Sequence, residues 1–268
     1  MPFLAGAVLL GASCSPTSPE NAPPSLAAPN SPADARVPEP TRRVVVRVLY
    51  RGRAPFSPLP SSPGDPLSLG NQVEAVCLPD AGGFARAIDF SLPGVVVWVS
   101  SPTGPRPSAS SEPRVVRLEH CRFDPPRIAV AVGSRLRFVN EDPILHSLVA
   151  VPEVNPRFDA GLPFPGMSAD LLLPSAELGV RIRSRRFPWM TAVVAVVNSS
   201  WFAVTGEDGS AVLVDPPAGP LSISAWHPDL GTVRLDLEAP AEGDLPAELW
   251  YPESALADEI ERREEAAR

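Results

Sequence analysis

Short β-branched runs recur along this chain, each closed off by glycine, proline, asparagine or aspartate, and that rhythm constrains the fold more than any other feature. The runs are Val44–Tyr50, Val95–Ser100, Val115–Leu118, Ile128–Val132, Leu136–Asn140, Ser147–Val151, Val180–Arg183, Thr191–Val197, Ala211–Val214, Leu221–Trp226 and Thr232–Leu237. Many short strands with regular turn signals predict β-sandwiches, because a strand with one apolar face must bury it against a second sheet. Gly206-Glu207-Asp208-Gly209 reads as a hairpin loop. Helical periodicity is missing until the end of the sequence. There, Ser254 to Ala267 has good helix formers with Asp258–Arg262 and Glu259–Arg263 at i,i+4, but its apolar stripe is only Leu256 and Ile260. A solvated or loosely docked terminal helix follows, with a partner-binding helix as the alternative.

The N-terminal segment has a different composition. Pro2 to Ala12 is an apolar run too short to span a bilayer, followed by Ser13-Cys14. It suits a signal peptide, and small residues before a cysteine resemble a bacterial lipoprotein signal, which makes Cys14 a candidate for lipidation. Ordinary secretion is the alternative. Eight of the 36 prolines fall between Pro16 and Pro40, so residues 15–40 are expected to form an extended, non-packing linker. The chain is thus expected at the cell envelope, on the periplasmic face, held by a lipid anchor or else secreted. Once Cys14 is set apart, Cys77 and Cys121 remain; in an exported protein such a pair reads as a disulfide, the alternative being two free thiols.

Charge excludes some classes of function. The formal net charge is −8, so no global attraction to nucleic acid is expected. The basic residues are all arginine, which rules out a lysine nucleophile or Schiff base. Nucleophile-elbow, zinc-protease, phosphate-loop and dinucleotide fingerprints are missing, so no enzyme is expected.

Several segments line up in order with one family. Cys121-Arg-Phe-Asp-Pro125 precedes Ile128–Gly133 and then Leu136-Arg-Phe-Val-Asn140-Glu-Asp142-Pro-Ile-Leu-His146. Val180–Met190, Phe202–Gly209, Pro217–Gly219 and Ala225-Trp226-His227 follow. The set resembles bacterial envelope cupredoxin-like proteins of the plastocyanin-like or methylamine-utilisation type, with a carboxypeptidase-regulatory-like segment. The resemblance implies an all-β protein: a cupredoxin-like Greek-key sandwich, a smaller transthyretin-like sandwich and a short C-terminal helix. The expected boundaries are 1–14 for the signal, 15–40 for the linker, 41–108 for N-terminal strands, 109–197 for the cupredoxin-like domain, 198–240 for the carboxypeptidase-regulatory-like segment and 241–268 for a charged helical tail. One arrangement splits the smaller sandwich, with Val44–Gly52 and Gly94–Ser100 pairing with strands beyond residue 198; the simpler one sets two sandwiches in sequence, or one merged sheet system.

The same resemblance implies copper ligands: a histidine after an N-x-D turn, then Cys, His and Met spaced C-x-x-H-x-x-M. A blue copper site needs a thiolate and two imidazoles near one plane with a weak axial thioether. On this chain those positions are His146, Ser184, Phe187 and Met190. Serine is a poor soft-metal ligand and phenylalanine has no donor atom, so no cofactor is expected, copper being the alternative. His146 reads as a framework histidine or a residual ligand, and Met190 as core filler beside Phe187 and Trp189. His227 reads as structural.

Arg181, Arg183 and Arg185 alternate along one predicted strand, with Arg186 at the turn. They are candidates for binding an anionic ligand or an envelope partner; a solvated strand face is the bland alternative. The reading is a non-catalytic envelope binding or scaffold module with a lost copper site; the alternative is a periplasmic copper electron carrier with a non-standard site.

Overall fold

The computed structural model describes residues 42–51, 91–100 and 109–266. Within them, sixteen strands and one helix form two β-sandwiches, in keeping with the all-β expectation. The expectations for residues 1–40, for Cys14 and for Cys77 lie outside the described residues.

The first sandwich is built from β3 (Arg114–Glu119), β4 (Arg122–Asp124), β5 (Arg127–Ala131), β6 (Ser134–Asn140), β7 (His146–Ala150), β8 (Phe158–Leu162), β9 (Ser168–Leu173), β10 (Glu177–Ser184) and β11 (Thr191–Val197). Its sheets have the orders β4-β3-β6-β9 and β5-β11-β10-β7-β8. Between them lies a core of Val116, Leu118, Phe123, Leu136, Phe138, Leu148, Val180, Ile182 and their neighbours. β10 illustrates how sequence sets the face. Val180, Ile182 and Ser184 point inward while Arg181 and Arg183 are exposed, the period-2 alternation of a strand with one wet face.

The second sandwich comes from both sides of the first in sequence. β1 (Arg42–Tyr50) pairs antiparallel with β13 (Ser210–Val214) and parallel with β16 (Gly243–Tyr251). β2 (Val96–Ser100) pairs with β12 (Phe202–Val204) and β14 (Gly219–His227), and β15 (Gly231–Ala239) closes that sheet. The early strands therefore meet the late strands across the inserted first sandwich, and among the described residues β1 has no ladder partner in 115–197. Val44, Val46, Val48, Val97, Ile223 and Tyr251 lie in this second core.

β11 differs from β10 because both of its faces are covered. Ala192, Val194 and Val196 face the first core, while Val193, Ala195 and Val197 pack on Val96 and Trp226 of the second sandwich. Burial on two sides explains the uninterrupted apolar run Thr191–Val197.

Two local expectations change. The Gly206–Gly209 turn forms, with Gly206 N–H donating to the Ser210 carbonyl at 2.9 Å. Its flanking strands do not make a hairpin, however, since β12 joins β2 and β13 joins β1, so the turn carries the chain from one sheet to the other. Gly209 is required there: its φ is +72°, and a Cβ would lie 2.8 Å from the Leu92 nitrogen. Residues 243–251 also form β16 rather than part of a helical tail. Pro246 is tolerated because β16 lies at the edge of its sheet. The helix α1 (Ala255–Ala266) follows, with Ala255 and Glu259 buried and Ile260 exposed. Glu259 accepts from Arg262 and Arg263, and Arg263 also reaches Asp229 at 3.7 Å.

His227 ends β14 in a buried position where its Nδ1 accepts the Asp229 N–H at 3.1 Å. Burial, reinforced by the charge of Arg127, lowers its pKa to about 4. Protonation would both charge a buried ring and remove that acceptor. The unfolded chain takes up this proton near pH 6.5 and the folded chain only near 4, so stability falls as pH drops through that window. The loss attributable to His227 is at most about 3 kcal/mol. Chemical denaturation of wild type and His227→Gln at pH 7 and pH 4.5 checks this: the acid-induced loss should be smaller in the variant.

Candidate functional site

One end of the first sandwich brings together the turn between β3 and β4, the loop into β7 and the loop between β10 and β11. The Asn140–His146 segment is organised by its own side chains. Asn140 Nδ2 donates to the Ile144 and Leu162 carbonyls at 2.9 and 2.8 Å, and Asn140 Oδ1 accepts the Asp142 N–H at 2.8 Å. This is the local bonding by which asparagine and aspartate shape a turn.

Asp142 is the hub of this end. One carboxylate oxygen accepts the His120 N–H at 2.7 Å, and the other accepts the Cys121 N–H at 2.9 Å and lies 2.9 Å from His146 Nε2. His120 and Cys121 sit at φ 51° and 56°, a left-handed conformation that costs most residues about 1–2 kcal/mol each. The carboxylate pins that turn. Burial works against the ionisation of Asp142, but the hydrogen bonds from His146, Cys121 and His120 prevail and hold its carboxyl below the usual carboxylate range. Because Oδ2 is an acceptor, His146 Nε2 carries the shared proton. The opposite ring nitrogen, Nδ1, is buried without a hydrogen-bond partner among the described residues.

The four positions expected for copper ligands meet at this end. Ser184 continues β10 inward, and its Oγ accepts the N–H groups of Arg186 and Phe187 at 3.2 and 3.1 Å. Phe187 is fully buried, with its ring edge-on to His146 at a centroid distance of 5.4 Å and against Trp189 at 5.3 Å. Met190 is buried behind it, its N–H bonded to the Phe187 carbonyl at 2.9 Å. Trp189 Nε1 donates to the Cys121 carbonyl at 3.2 Å, which fastens the β10–β11 loop to the β3–β4 turn. His146 has framework bonding through Nε2 and an unused lone pair at Nδ1.

These residues do not fit copper. A type 1 centre needs a thiolate and two imidazoles. The Ser184 hydroxyl is already committed to two backbone N–H groups, and Phe187 fills the second imidazole position with hydrocarbon. Cys121, Asp142 and His146 are a buried group whose ligand atoms lie within 4.8 Å of one another. The sulfur of Cys121, though, is disulfide-bonded and offers no thiolate.

The arginine stripe is exposed as its alternation predicts: Arg181, Arg183, Arg185 and Arg186 all reach solvent. Arg185 pairs with Asp159 of β8 at 2.5 Å, and Arg186 lies 5.7 Å from the Phe187 ring centroid. In the sequence Asp142 stands only as part of the N-x-D motif, and its bonds to the 120–121 turn are not visible there. The signal available was an Asx pair directly after a strand, a pattern that often caps backbone donors.

The frame that holds these residues is a two-sheet β-sandwich. Among solved structures, the chain is similar to an oxidised point mutant of amicyanin, at 16% identity over 37% of this chain and 98% of that one, with a TM-score of 0.30. A purple cupredoxin from Nitrosopumilus maritimus matches at 14% identity over 31% of this chain and 99% of that one, with a TM-score of 0.28. A copper-containing nitrite reductase from Thermus scotoductus matches at 20% identity and a TM-score of 0.29; 34% of this chain is covered, but only 25% of the reductase. No family model and no curated protein matches the chain.

Proposed function

We propose that this chain is a copper-free cupredoxin-like module of the cell envelope that acts by binding rather than by electron transfer or catalysis. The observation that carries the reading is the filled ligand cluster: Ser184 bonded to backbone and Phe187 packed between His146 and Trp189. An apolar side chain where a metal would need an imidazole stabilises the interior, since an empty cavity there would be costly. The Asp142–His146 pair supports a structural role over a catalytic one, because its carboxylate is engaged by three donors deep in the fold. Export and a lipid anchor at Cys14 belong to the same proposal. So does a carboxypeptidase-regulatory-like identity for the second sandwich, with the pairing of β1 and β2 to late strands as its support.

Titration of the purified chain with Cu(II), and with Cu(I) under reducing conditions, against a chelating competitor tests the copper-free reading. The expected result is no stoichiometric uptake and no intense visible band. The unpartnered Nδ1 of His146 favours a second reading, a non-standard copper site completed by Met190. Stoichiometric uptake abolished by His146→Ala would select it.

A further inference from the structure

We infer that the outer face of β10, β7 and β8 docks an extended acidic polypeptide segment with carboxylates at alternate positions. The inference rests on the binding-module reading and names its partner class. Arg181 and Arg183 point outward from β10, and Arg185 continues the row through its N–H bond to the Ser147 carbonyl at 2.8 Å. Residues two apart on a strand present side chains about 6.7 Å apart. Among the described residues, ion pairing in this row is confined to Arg185 with Asp159. Arg157, just before β8, adds another exposed guanidinium.

The face is mixed rather than purely cationic. Val149 lies opposite Arg183 in the ladder, Val151 is 62% exposed and Leu178 40% exposed. Guanidinium groups beside apolar surface suit a partner offering carboxylates on short aliphatic stems, with the fork geometry of arginine meeting each carboxylate. Charge distribution separates the candidate anions. A bilayer or a nucleic acid would present a broad negative field to a chain whose formal net charge is −8, whereas a narrow strand of peptide engages the local stripe within about one screening length. A peptide in extended conformation repeats its side chains on the pitch of β10, so Glu at i, i+2 and i+4 falls in register with Arg181, Arg183 and Arg185.

The test uses the full chain in the presence of a chelator. Fluorescence anisotropy is measured with a labelled peptide alternating Glu and Val over about eight residues. A peptide of the same composition with its glutamates in one block, and vesicles of phosphatidylglycerol, serve as comparison probes. The alternating peptide should bind more tightly than the block peptide and weaken with added salt. Arg181→Glu/Arg183→Glu should lower its affinity at least tenfold. Arg234→Glu, an exposed change on β15, should leave it unaltered, and circular dichroism should show all variants folded. No binding, equal binding of both peptides, equal loss in Arg234→Glu, or binding to vesicles alone would each overturn the inference. Such a failure leaves the copper-free reading standing, since that is decided by metal uptake and not by these probes.

Discussion

Asp142→Ala should destabilise the protein by about 3–5 kcal/mol, since each buried donor left without its acceptor costs about 1–3 kcal/mol. The carboxylate holds two backbone N–H groups and the His146 ring at once, so its loss strands several buried donors together. It also releases the constraint on two residues in left-handed conformation. Thermal unfolding should therefore shift down by roughly 10 °C. Asp142→Asn retains one acceptor but cannot serve three donors in the same way, and it should fall between wild type and the alanine variant. Calorimetry at pH 7 on the three proteins is the check. A loss below about 1 kcal/mol for Asp142→Ala would mean that the turn is held by its packing alone.

Ser184→Cys/Phe187→His should turn the chain into a copper protein. The double change places a thiolate and a second imidazole beside His146 and Met190, the donor set of a type 1 centre. The local frame favours the exchange. Cysteine at 184 would find two N–H groups already directed at its side chain, and the ring of residue 187 already meets His146. Outer-shell partners of metal ligands alone are worth about 10–100-fold in affinity, so supplying two ligands should raise copper affinity by more than about 100-fold over wild type. An intense visible thiolate-to-copper band should appear on Cu(II) addition to the double variant and in neither single variant. Copper titration followed by absorbance and by metal content reads both effects. If the double variant folds yet stays colourless, the four positions do not converge as described.

The β10 stripe was legible in the sequence because it depends on residue identity at fixed spacing, and the copper-free expectation rests on the identities of residues 184 and 187 alone. Alternation of Arg181 and Arg183 with Ile182 dictates faces whatever the partner strand, and neither Ser184 nor Phe187 can present a thiolate or an imidazole. β11 was legible as a strand, but its burial on both faces was not, because that depends on the second sandwich packing against it. β16 was not. Asp244, Pro246 and Glu248 interrupt its hydrophobic pattern, and only its edge position beside β1 makes them acceptable, which is a tertiary fact. β8 and β9 were missed for a related reason: Phe158-Asp-Ala-Gly-Leu162 and Ser168-Ala-Asp170 carry too few β-branched residues to stand out. The role of Asp142 depended on which backbone N–H groups the fold brings to it, a convergence of residues 120–121 with residue 146 that local pattern does not encode. The turn at Gly206–Gly209 was legible as a turn, but the sheets that it joins were not.

Metal analysis of the chain purified from its own cells, without added metal and without chelator, bears most directly on the claim that this sandwich works without copper. Copper should be far below one equivalent per chain and the protein colourless. One tightly held copper per chain that is lost on His146→Ala would contradict it.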